Sequence, residues 1–465
     1  MPPLLLFLFL VSCSLTAAAV TTSDSLQLEL LRLHAPAATR LDYLRGLFHS
    51  DHLRQRSIVQ RIGQRHIRRR TLAASDNTSS AAEAAAVQDS FAMPLSSGAY
   101  TGTGQYFVRF FLGTPAQRFL LVADTGSDLT WVKCRPRGRG GRKGSAAGEG
   151  RVFRPESSVS YSPIRCSTDM CKSALPFALA TCPTPASPCA YNYGYSDGST
   201  AKGVFAKESA TITLSKGGRR RKLRGLVVGC TTSSVGASFR ASDGVLGLGY
   251  SGVSFAAHAA ARFGGRFSYC LVDHLSPRNA SSCLTFGPTP ALAVPPPRTT
   301  DLVIDPRLQP FYAVRLKGIT VDGDLLRIPA RVWDAGRGGG VILDSGTSLT
   351  VLAEPAYSAV ASALSRRLST VPRVTVDPFD YCYNWTAAAA AMVPKMVIHL
   401  AGTARLEPPE KSYLIDVAEG VKCVGITAAP WPGVSTIGNI LQQEHIWEFD
   451  LRNRRLRFLR STCRS

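Results

Sequence analysis

The sequence predicts an all-β protein of two related lobes behind an N-terminal segment of different character. Short apolar strands between Gly, Pro, Asn and Asp turns dominate from Tyr106 onward. A short motif around an aspartate recurs 220 residues later, at Asp124 and Asp344. The 465 residues fit several domains or one large bilobal unit, and 45% hydrophobic residues can form a sizeable core. Whole-chain disorder and a collagen-like fold are therefore excluded.

The N-terminal segment divides into two parts. The apolar run Leu4–Val11, followed by small residues, predicts a signal peptide over residues 1–19, with a buried N-terminal strand or helix as the alternative. Residues 20–90 predict a pro-region and linker. Leu26–Leu33 and Leu41–Leu53 have helical apolar spacing, and an Ala/Ser-rich stretch follows. The alternative is a helical extension that stays attached. We expect no transmembrane anchor, because no run reaches about 18 apolar residues.

Cysteines and glycosylation sequons favour the secretory pathway, with an extracellular or apoplastic destination and a plastid or a vacuole as alternatives. Eleven of the twelve cysteines follow Cys13, and none has zinc-site spacing with histidine, so disulfides are preferred over a metal. Spacing leaves the connectivity open, and an odd count leaves one thiol over. Cysteines that neighbour each other in sequence are 166 and 171, 182 and 189, 270 and 283, and 382 and 423. The sequons lie at Asn77, Asn279 and Asn384.

Two lobes are predicted, over residues 91–298 and 299–465, with the prolines at 295–297 as a linker. Helical spacing predicts two helices within them, Val253–Phe263 and Glu354–Leu368. The predicted strands are Tyr106–Leu112, Phe119–Ala123, Thr211–Leu214, Leu226–Gly229, Phe311–Val321 and Val341–Leu343.

The repeated motif is the strongest functional signal. Phe119–Trp131 and Gly340–Val351 each run from an apolar strand into Asp-(Thr/Ser)-Gly-(Ser/Thr) and then into a second apolar stretch. One such aspartate is usually a turn or a helix N-cap. Two copies predict a pair of carboxylates at a lobe interface.

Paired carboxylates suit acid and base chemistry. Like charges held close together share one proton, so the pair titrates with two separated pKa values. The ionised member takes a proton from water, and the protonated member donates to a substrate carbonyl. This is the chemistry of peptide hydrolysis without a metal or a covalent intermediate, and shared-proton dyads of aspartic proteases are a standard example.

Seven ordered motifs between Tyr106 and Cys463 resemble pepsin-type (family A1) aspartic proteases, and more closely the plant nepenthesin-like subfamily. That resemblance implies a bilobal pepsin-like fold, two β-barrel-like lobes around an active-site cleft, and an aspartic endopeptidase made as a secretory zymogen. The stretches Phe267–Ser276 and Lys411–Asp416 are further similar to a plant subgroup described as chloroplastic. The motifs are Phe111–Gln117, Asp124–Trp131, Tyr193–Thr200, Asp243–Gly249, Phe267–Cys270, Asp344–Thr350 and Ile437–Ile440.

The resemblance also assigns roles. Asp124 and Asp344 match the catalytic pair. Tyr195 matches the tyrosine of the flap, the hairpin that closes over substrate, and Trp131 matches its hydrogen-bond partner. The segments 245–247 and 436–438 match strands that pack beneath the catalytic loops. The residues that match supports of the carboxylates are Thr125, Gly126, Ser127, Ser345, Gly346 and Thr347.

The sequence departs from the subfamily at the insert that begins at Cys134, where the further cysteines are absent, and at Ser196, which replaces a common flap glycine. Both aspartates are present, so an inactive inhibitor or binding protein on the same fold is the alternative that the sequence favours less. We expect no cofactor and no metal, a polypeptide substrate and a monomer.

The net charge of +22 is concentrated in three segments. Residues 133–154 carry +7, and residues 216–224 and 452–465 carry +6 each. Such runs are usually solvated loops. The alternative is contact with nucleic acid or another anion through 133–154 and 216–224, although no aromatic residues interleave for base stacking.

Overall fold

A computed structural model provides the coordinates. None of the helices in the described part of the chain combines the length and hydropathy that a membrane crossing demands. The expected signal segment 1–19, the helical run Leu26–Leu33, Asn77, Asn279 and Ser196 lie outside the described residues. The structure describes residues 39–70, 90–97, 104–135, 151–174, 182–195, 198–236, 239, 241–276, 282–293, 295–386 and 393–463.

The all-β prediction is confirmed. One 14-stranded sheet contains strands from both halves of the chain, because the last two strands and the first strand after the prolines join it. In chain order its strands are β1 (Phe91–Ser97), β2 (Tyr106–Leu112), β3 (Gln117–Asp124), β4 (Thr130–Lys133), β5 (Ser162–Pro163), β6 (Ala190–Gly194), β7 (Thr200–Thr213), β8 (Arg220–Val235), β9 (Gly244–Gly247), β10 (Arg266–Cys270), β11 (Ser282–Phe286), β12 (Arg298–Asp301), β26 (His445–Asp450) and β27 (Arg455–Arg460).

The second half adds three smaller sheets. The predicted strand Phe311–Val321 is divided in two, at Arg315. The first sheet contains β13 (Tyr312–Val314), β16 (Val341–Leu343), β25 (Ser435–Ile437), β17 (Thr350–Ala353) and β24 (Ile426–Ala429). The second contains β15 (Asp324–Leu325), β14 (Leu316–Val321), β20 (Met396–Leu400) and β21 (Arg405–Leu406). The third contains β18 (Arg373–Val376), β19 (Phe379–Asn384), β23 (Val421–Val424) and β22 (Leu414–Ala418).

The predicted helical runs among the described residues lie in helices of different length, and a short fourth helix was not predicted. The predicted run Leu41–Leu53 lies inside a helix of 31 residues. The helices are α1 (Arg40–Arg70), α2 (Phe255–Arg262), α3 (Glu354–Arg367) and α4 (Asn439–Gln442).

An aromatic cluster joins the two halves. Strand β10 pairs antiparallel with β26, which places Phe267 opposite Phe449. Their rings stack with centroids 4.8 Å apart, and Tyr312 packs 4.7 Å from Phe449. Buried aromatic side chains contribute large apolar areas, so this cluster fixes the relative position of the two repeated motifs.

Disulfides connect residues that are mostly distant in sequence. Among the neighbouring pairs, only Cys382–Cys423 is bonded. The described disulfides also include Cys134–Cys230, Cys166–Cys182, Cys171–Cys189 and Cys270–Cys463.

These five disulfides account for ten of the eleven cysteines that follow Cys13. Cys283 is also disulfide-bonded, and the described part of the chain contains no free cysteine. Strand pairing alone does not decide which cysteines are bonded. Strands β10 and β11 place Cys270 opposite Cys283, yet Cys270 bonds to Cys463 in the chain after β27.

Candidate active site

Both motif aspartates lie where a strand leaves its sheet. Strand β3 ends at Asp124 and runs parallel to β9, and β16 ends just before Asp344 and runs parallel to β25. Residues 245–247 and 436–437 thus lie beside the strands that carry the carboxylates, as the resemblance implied. The two lobes present equivalent ends to each other.

The two carboxylates are held by the same set of donors. In the first lobe, Gly126 N donates to Oδ1 of Asp124 (3.0 Å) and Ser127 Oγ donates to Oδ2 (2.7 Å). The second lobe repeats this arrangement at Asp344, where the donors are Gly346 N (2.9 Å) and Thr347 Oγ1 (2.6 Å). Both aspartates are buried, and a buried carboxylate requires such partners.

The loops that carry the aspartates are locked to each other by a reciprocal pair of hydrogen bonds. Thr125 N donates to Ser345 Oγ (3.0 Å), and Ser345 N donates to Thr125 Oγ1 (2.9 Å). Ser345 Oγ also donates to Ala123 O (3.0 Å). Thr125 and Ser345 therefore determine the separation of the carboxylates rather than touching them.

Glycine is required in both motifs because the two loops approach closely. A Cβ atom at Gly126 would lie 2.6 Å from Oδ1 of Asp344, and one at Gly346 would collide with Oδ1 of Asp124. The motif glycines thus keep space between the lobes at the carboxylate pair.

The arginine of α1 that binds both aspartates was not identified from the sequence. Arg54 Nε donates to Asp344 Oδ2 (2.7 Å), and Nη2 donates to Asp124 Oδ1 (2.8 Å) and to Asp344 Oδ1 (3.0 Å). The guanidinium fork matches carboxylate geometry and is always charged. The guanidinium therefore lies between the two carboxylates and is hydrogen-bonded to both.

A sequence signal for Arg54 existed in the spacing of α1. The buried side chains of this helix recur every three or four residues and form one face. Asp51, Arg54 and Gln55 interrupt an otherwise apolar face, and buried charge on such a face indicates a specific partner. The buried apolar members of this face are Tyr43, Leu44, Leu47, Ile58 and Ile62.

The environments of the two aspartates are electrostatically unequal. Burial raises the pKa of Asp124, and the neighbouring Asp344 raises it further, against the lowering effect of Arg54. Burial also acts to raise the pKa of Asp344, but the charge and hydrogen bonds of Arg54, with those of Thr347 and Gly346, hold that pKa below its ordinary value. The pair is thus poised with Asp344 as the more readily ionised member.

Two further polar residues of α1 dock onto the second lobe. Asp51 accepts hydrogen bonds from the backbone of Ser348 (2.9 Å) and Leu349 (2.6 Å). Burial raises the pKa of Asp51 to about 7, against those hydrogen bonds. Gln55 donates to Val434 O (2.5 Å) and accepts from Thr436 Oγ1 (2.7 Å).

Apolar side chains of α1 pack against the second lobe in two clusters. Towards its N-terminus, Tyr43, Leu44 and Leu47 pack in a cluster with residues of β22 and β23. Towards its C-terminus, Ile58 and Ile62 pack with Leu308, Phe311, Ile342 and Val434.

The predicted flap lies over the first lobe's side of the cleft. Tyr195 follows β6, and its hydroxyl accepts a hydrogen bond from Nε1 of Trp131. Phe239 packs edge-on against both rings at 5.0 Å. Burial raises the pKa of Tyr195 well above its ordinary value, so the hydroxyl stays protonated and can donate.

The basic segments predicted from the sequence are only partly described. Segment 216–224 lies at the β7–β8 hairpin, where all six of its basic side chains are exposed. Only the ends of segment 133–154 are described.

The sulfurs of Cys166, Cys171 and Cys182 lie within 4.8 Å of one another, but all three are in disulfides and cannot act as thiolate ligands.

Sequence comparisons match both lobes. The family models described as "Xylanase inhibitor N-terminal" and "Xylanase inhibitor C-terminal" match residues 106–288 and 311–460. Aspartyl protease family protein 2 of Arabidopsis thaliana is 35% identical over 80% of this chain and 74% of its own. Aspartic proteinase nepenthesin-2 of Nepenthes gracilis is 33% identical over 78% of this chain and 79% of its own.

Solved structures share the fold. The crystal structure of edgp aligns with a TM-score of 0.66 at 19% identity, over 82% of this chain and 97% of that one. Basic 7S globulin from soybean aligns with a TM-score of 0.64 at 20% identity, over 80% of this chain and 97% of that one.

Proposed function

This chain belongs to the plant family of pepsin-like aspartyl proteases, and we propose that it is the zymogen of an aspartic endopeptidase whose catalytic pair is Asp124 and Asp344. The observation that carries this proposal is the two-fold set of donors around two buried carboxylates whose loops are locked together by Thr125 and Ser345. Such a pair can activate water for peptide hydrolysis.

In the free enzyme we expect the two carboxylates to share one proton, because like charges held close together cannot both ionise. The ionised carboxylate accepts a proton from water as the water attacks the peptide carbonyl carbon. The protonated carboxyl donates to the carbonyl oxygen, giving a tetrahedral diol. The diol collapses as the protonated carboxyl gives its proton to the departing amine and a diol hydroxyl returns its proton to the other carboxylate, so the pair again holds one proton.

The flap supplies the second component of the site. Tyr195 lies beside the cleft with its hydroxyl oriented by Trp131, and Phe239 supports both rings. Closure of this hairpin over a bound peptide excludes bulk water from the reacting groups.

Helix α1 holds the protein inactive. It contributes Arg54 to both carboxylates and packs its apolar side chains against the second lobe, so a polypeptide cannot reach the carboxylates while α1 is bound. Removal of α1 would therefore precede activity. The Ala/Ser-rich stretch between α1 and β1 is where cleavage would release it.

We place the protein in the secretory pathway as part of the same proposal. The extensive disulfide bonding of the described chain suits an oxidising compartment. Asn384, in one of the three sequons, is exposed at the end of β19, where a glycan could be attached.

The experiment that tests the catalytic assignment compares Asp124→Asn and Asp344→Asn with wild type, after acid incubation of each full-length protein. We expect wild type to cleave a denatured protein at acid pH in a pepstatin-sensitive manner, and both variants to lose cleavage. Asp324→Asn is the matched control, since that exposed residue pairs with Arg367 away from the cleft. Cleavage retained by either dyad variant would contradict the assignment.

The zymogen assignment is tested by N-terminal sequencing of the active species. We expect its first residue to lie after α1 and at or before β1. An active species that still carries residues 40–62 would contradict the inhibitory role of the helix.

A further inference from the structure

The contact between α1 and the flap is chemically distinct from the rest of the helix docking site. Arg61 Nη2 donates to the carbonyl oxygen of Gly194, and Nη1 lies 3.5 Å from the hydroxyl of Tyr193. The guanidinium carbon lies 5.1 Å from the centre of the Tyr193 ring, within cation–π range. The flap thus contacts the cation through a carbonyl, a hydroxyl and a ring face.

A buried carboxylate stands behind this contact. The Tyr193 hydroxyl donates to Oδ1 of Asp128 (3.0 Å), and Asp128 is 3% exposed. The Asp128 carboxyl is therefore one hydroxyl away from the guanidinium, and by accepting the hydroxyl proton it leaves the hydroxyl oxygen available to accept from a cation. Both Tyr193 and Asp128 belong to the first lobe, on β6 and on the loop between β3 and β4, so they remain when α1 leaves.

We propose that Tyr193, Gly194 O and Asp128 form a cation-binding subsite that takes an arginine side chain of the polypeptide substrate. This inference rests on the proposed release of α1, which vacates the position of Arg61. Arginine fits better than lysine because its planar fork can reach the carbonyl and stack on the ring together.

The helix geometry gives the position of this subsite relative to the scissile bond. Arg54 marks the carboxylate pair, and Arg61 follows seven residues later, which is about 10 Å along a helix axis. An extended peptide covers that distance in about three residues. The preferred arginine should therefore lie about three positions from the cleaved bond.

The experiment uses full-length protein after acid incubation and fluorogenic peptides that differ at one position only. At each position on either side of the cleaved bond, one peptide carries arginine and a second carries citrulline, which keeps the shape of arginine without its charge. We expect kcat/KM for arginine to exceed that for citrulline by about tenfold at one position about three residues from the bond, the size of a typical charge-assisted hydrogen bond.

Variants locate the preference. In Tyr193→Phe and in Asp128→Asn, we expect the arginine-to-citrulline ratio at that position to fall to within about twofold of unity. Tyr191→Phe is the matched control and should keep the wild-type ratio. It removes a buried hydroxyl from the same face of β6, where Tyr191 contacts Thr231 instead of Arg61.

The ratio separates this inference from the proposed function. Pepstatin-sensitive cleavage of citrulline and arginine peptides at equal rates would overturn the subsite and leave the endopeptidase standing. A preference that survives both Tyr193→Phe and Asp128→Asn would also overturn it. Failure to cleave any peptide would overturn the proposed function, and the subsite with it.

Discussion

Arg54 binds Asp344 through two parallel hydrogen bonds, from Nε to Oδ2 at 2.7 Å and from Nη2 to Oδ1 at 3.0 Å. This bidentate geometry is the strongest form of arginine–carboxylate contact. The two residues are 290 positions apart in the chain. The contact couples the N-terminal helix directly to the chemistry of the cleft.

Arg54→Ala should weaken the docking of α1 by about 3–5 kcal/mol, because it leaves two buried carboxylates without their cation. We expect the full-length variant to cleave peptide without acid incubation, while wild type does not. The measurement is peptidase activity of protein that was purified at neutral pH and never incubated in acid. Arg56→Ala is the matched control, since Arg56 is exposed on the same helix. Arg54→Lys, which retains a charge, should release less activity. If Arg54→Ala without acid incubation is as inactive as wild type, the inhibitory role of Arg54 is contradicted.

The clamp at Asp344 should fail in acid. The pKa of Asp344 is held below its ordinary 3.8, largely through Arg54, so its contribution to docking is complete above that pH. The contribution is lost as the pH falls through the depressed value. We therefore expect wild type to become active only after exposure to about pH 4 or below, measured by incubating at a series of pH values and assaying at one.

Asp51 acts with the opposite sign. Its pKa is raised to about 7 when docked, so its contribution is complete below its ordinary 3.8 and is lost as the pH rises through about 7. Asp51→Asn removes this acid-side support and one backbone hydrogen bond, about 1 kcal/mol. We therefore expect the variant to become active at a pH up to about one unit higher than wild type does. An activation profile unchanged or shifted to lower pH would contradict this.

Trp131→Phe should lower kcat/KM by about fivefold, since it removes the donor that orients the Tyr195 hydroxyl, a hydrogen bond of about 1 kcal/mol. Steady-state kinetics of the acid-activated protein measures this, with melting temperature as a check on folding. Trp333→Phe provides the same chemical change outside the cleft and should leave kcat/KM unaltered. Equal effects of the two substitutions would show that Trp131 acts only through packing.

The basic hairpin should be independent of peptide hydrolysis. Replacing Arg219, Arg220, Arg221 and Lys222 with glutamine removes exposed charge at the β7–β8 turn, away from the dyad. We expect kcat/KM for a neutral peptide to be unchanged. If the hairpin binds nucleic acid, retention on DNA at low salt should fall in this variant, and wild-type retention should decline steeply with salt. Retention that does not respond to salt would count against such binding.

The paired aspartate motifs were predictable because their hydrogen-bond donors are local. A strand that runs into Asp-(Thr/Ser)-Gly carries its own hydrogen-bond donors, within three residues of Asp124 and of Asp344. The recurrence of the motif then predicted two lobes. Helix α3 was predicted nearly to its ends for the same reason, since amphipathic spacing is a local property.

The connections between distant segments were not predictable. Cys270 bonds to Cys463 and not to Cys283, although β10 also pairs with β11 and places Cys283 directly opposite Cys270. Spacing along the chain contains no information on which of the cysteines near Cys270 becomes its disulfide partner. The sequence did indicate that disulfides would form, but not between which cysteines.

The sequence by itself determined the all-β class, the paired aspartates with their supporting loops, and a helical segment ahead of the lobes. Only the tertiary structure decided that this helix lies in the cleft, with Arg54 between the carboxylates and Arg61 against Tyr193 and Gly194. The physical reason is that a buried charge such as that of Arg54 is stable only where groups that pair with it are also buried. The two aspartates that bind Arg54 lie 70 and 290 residues away from it along the chain, and folding brings the three together.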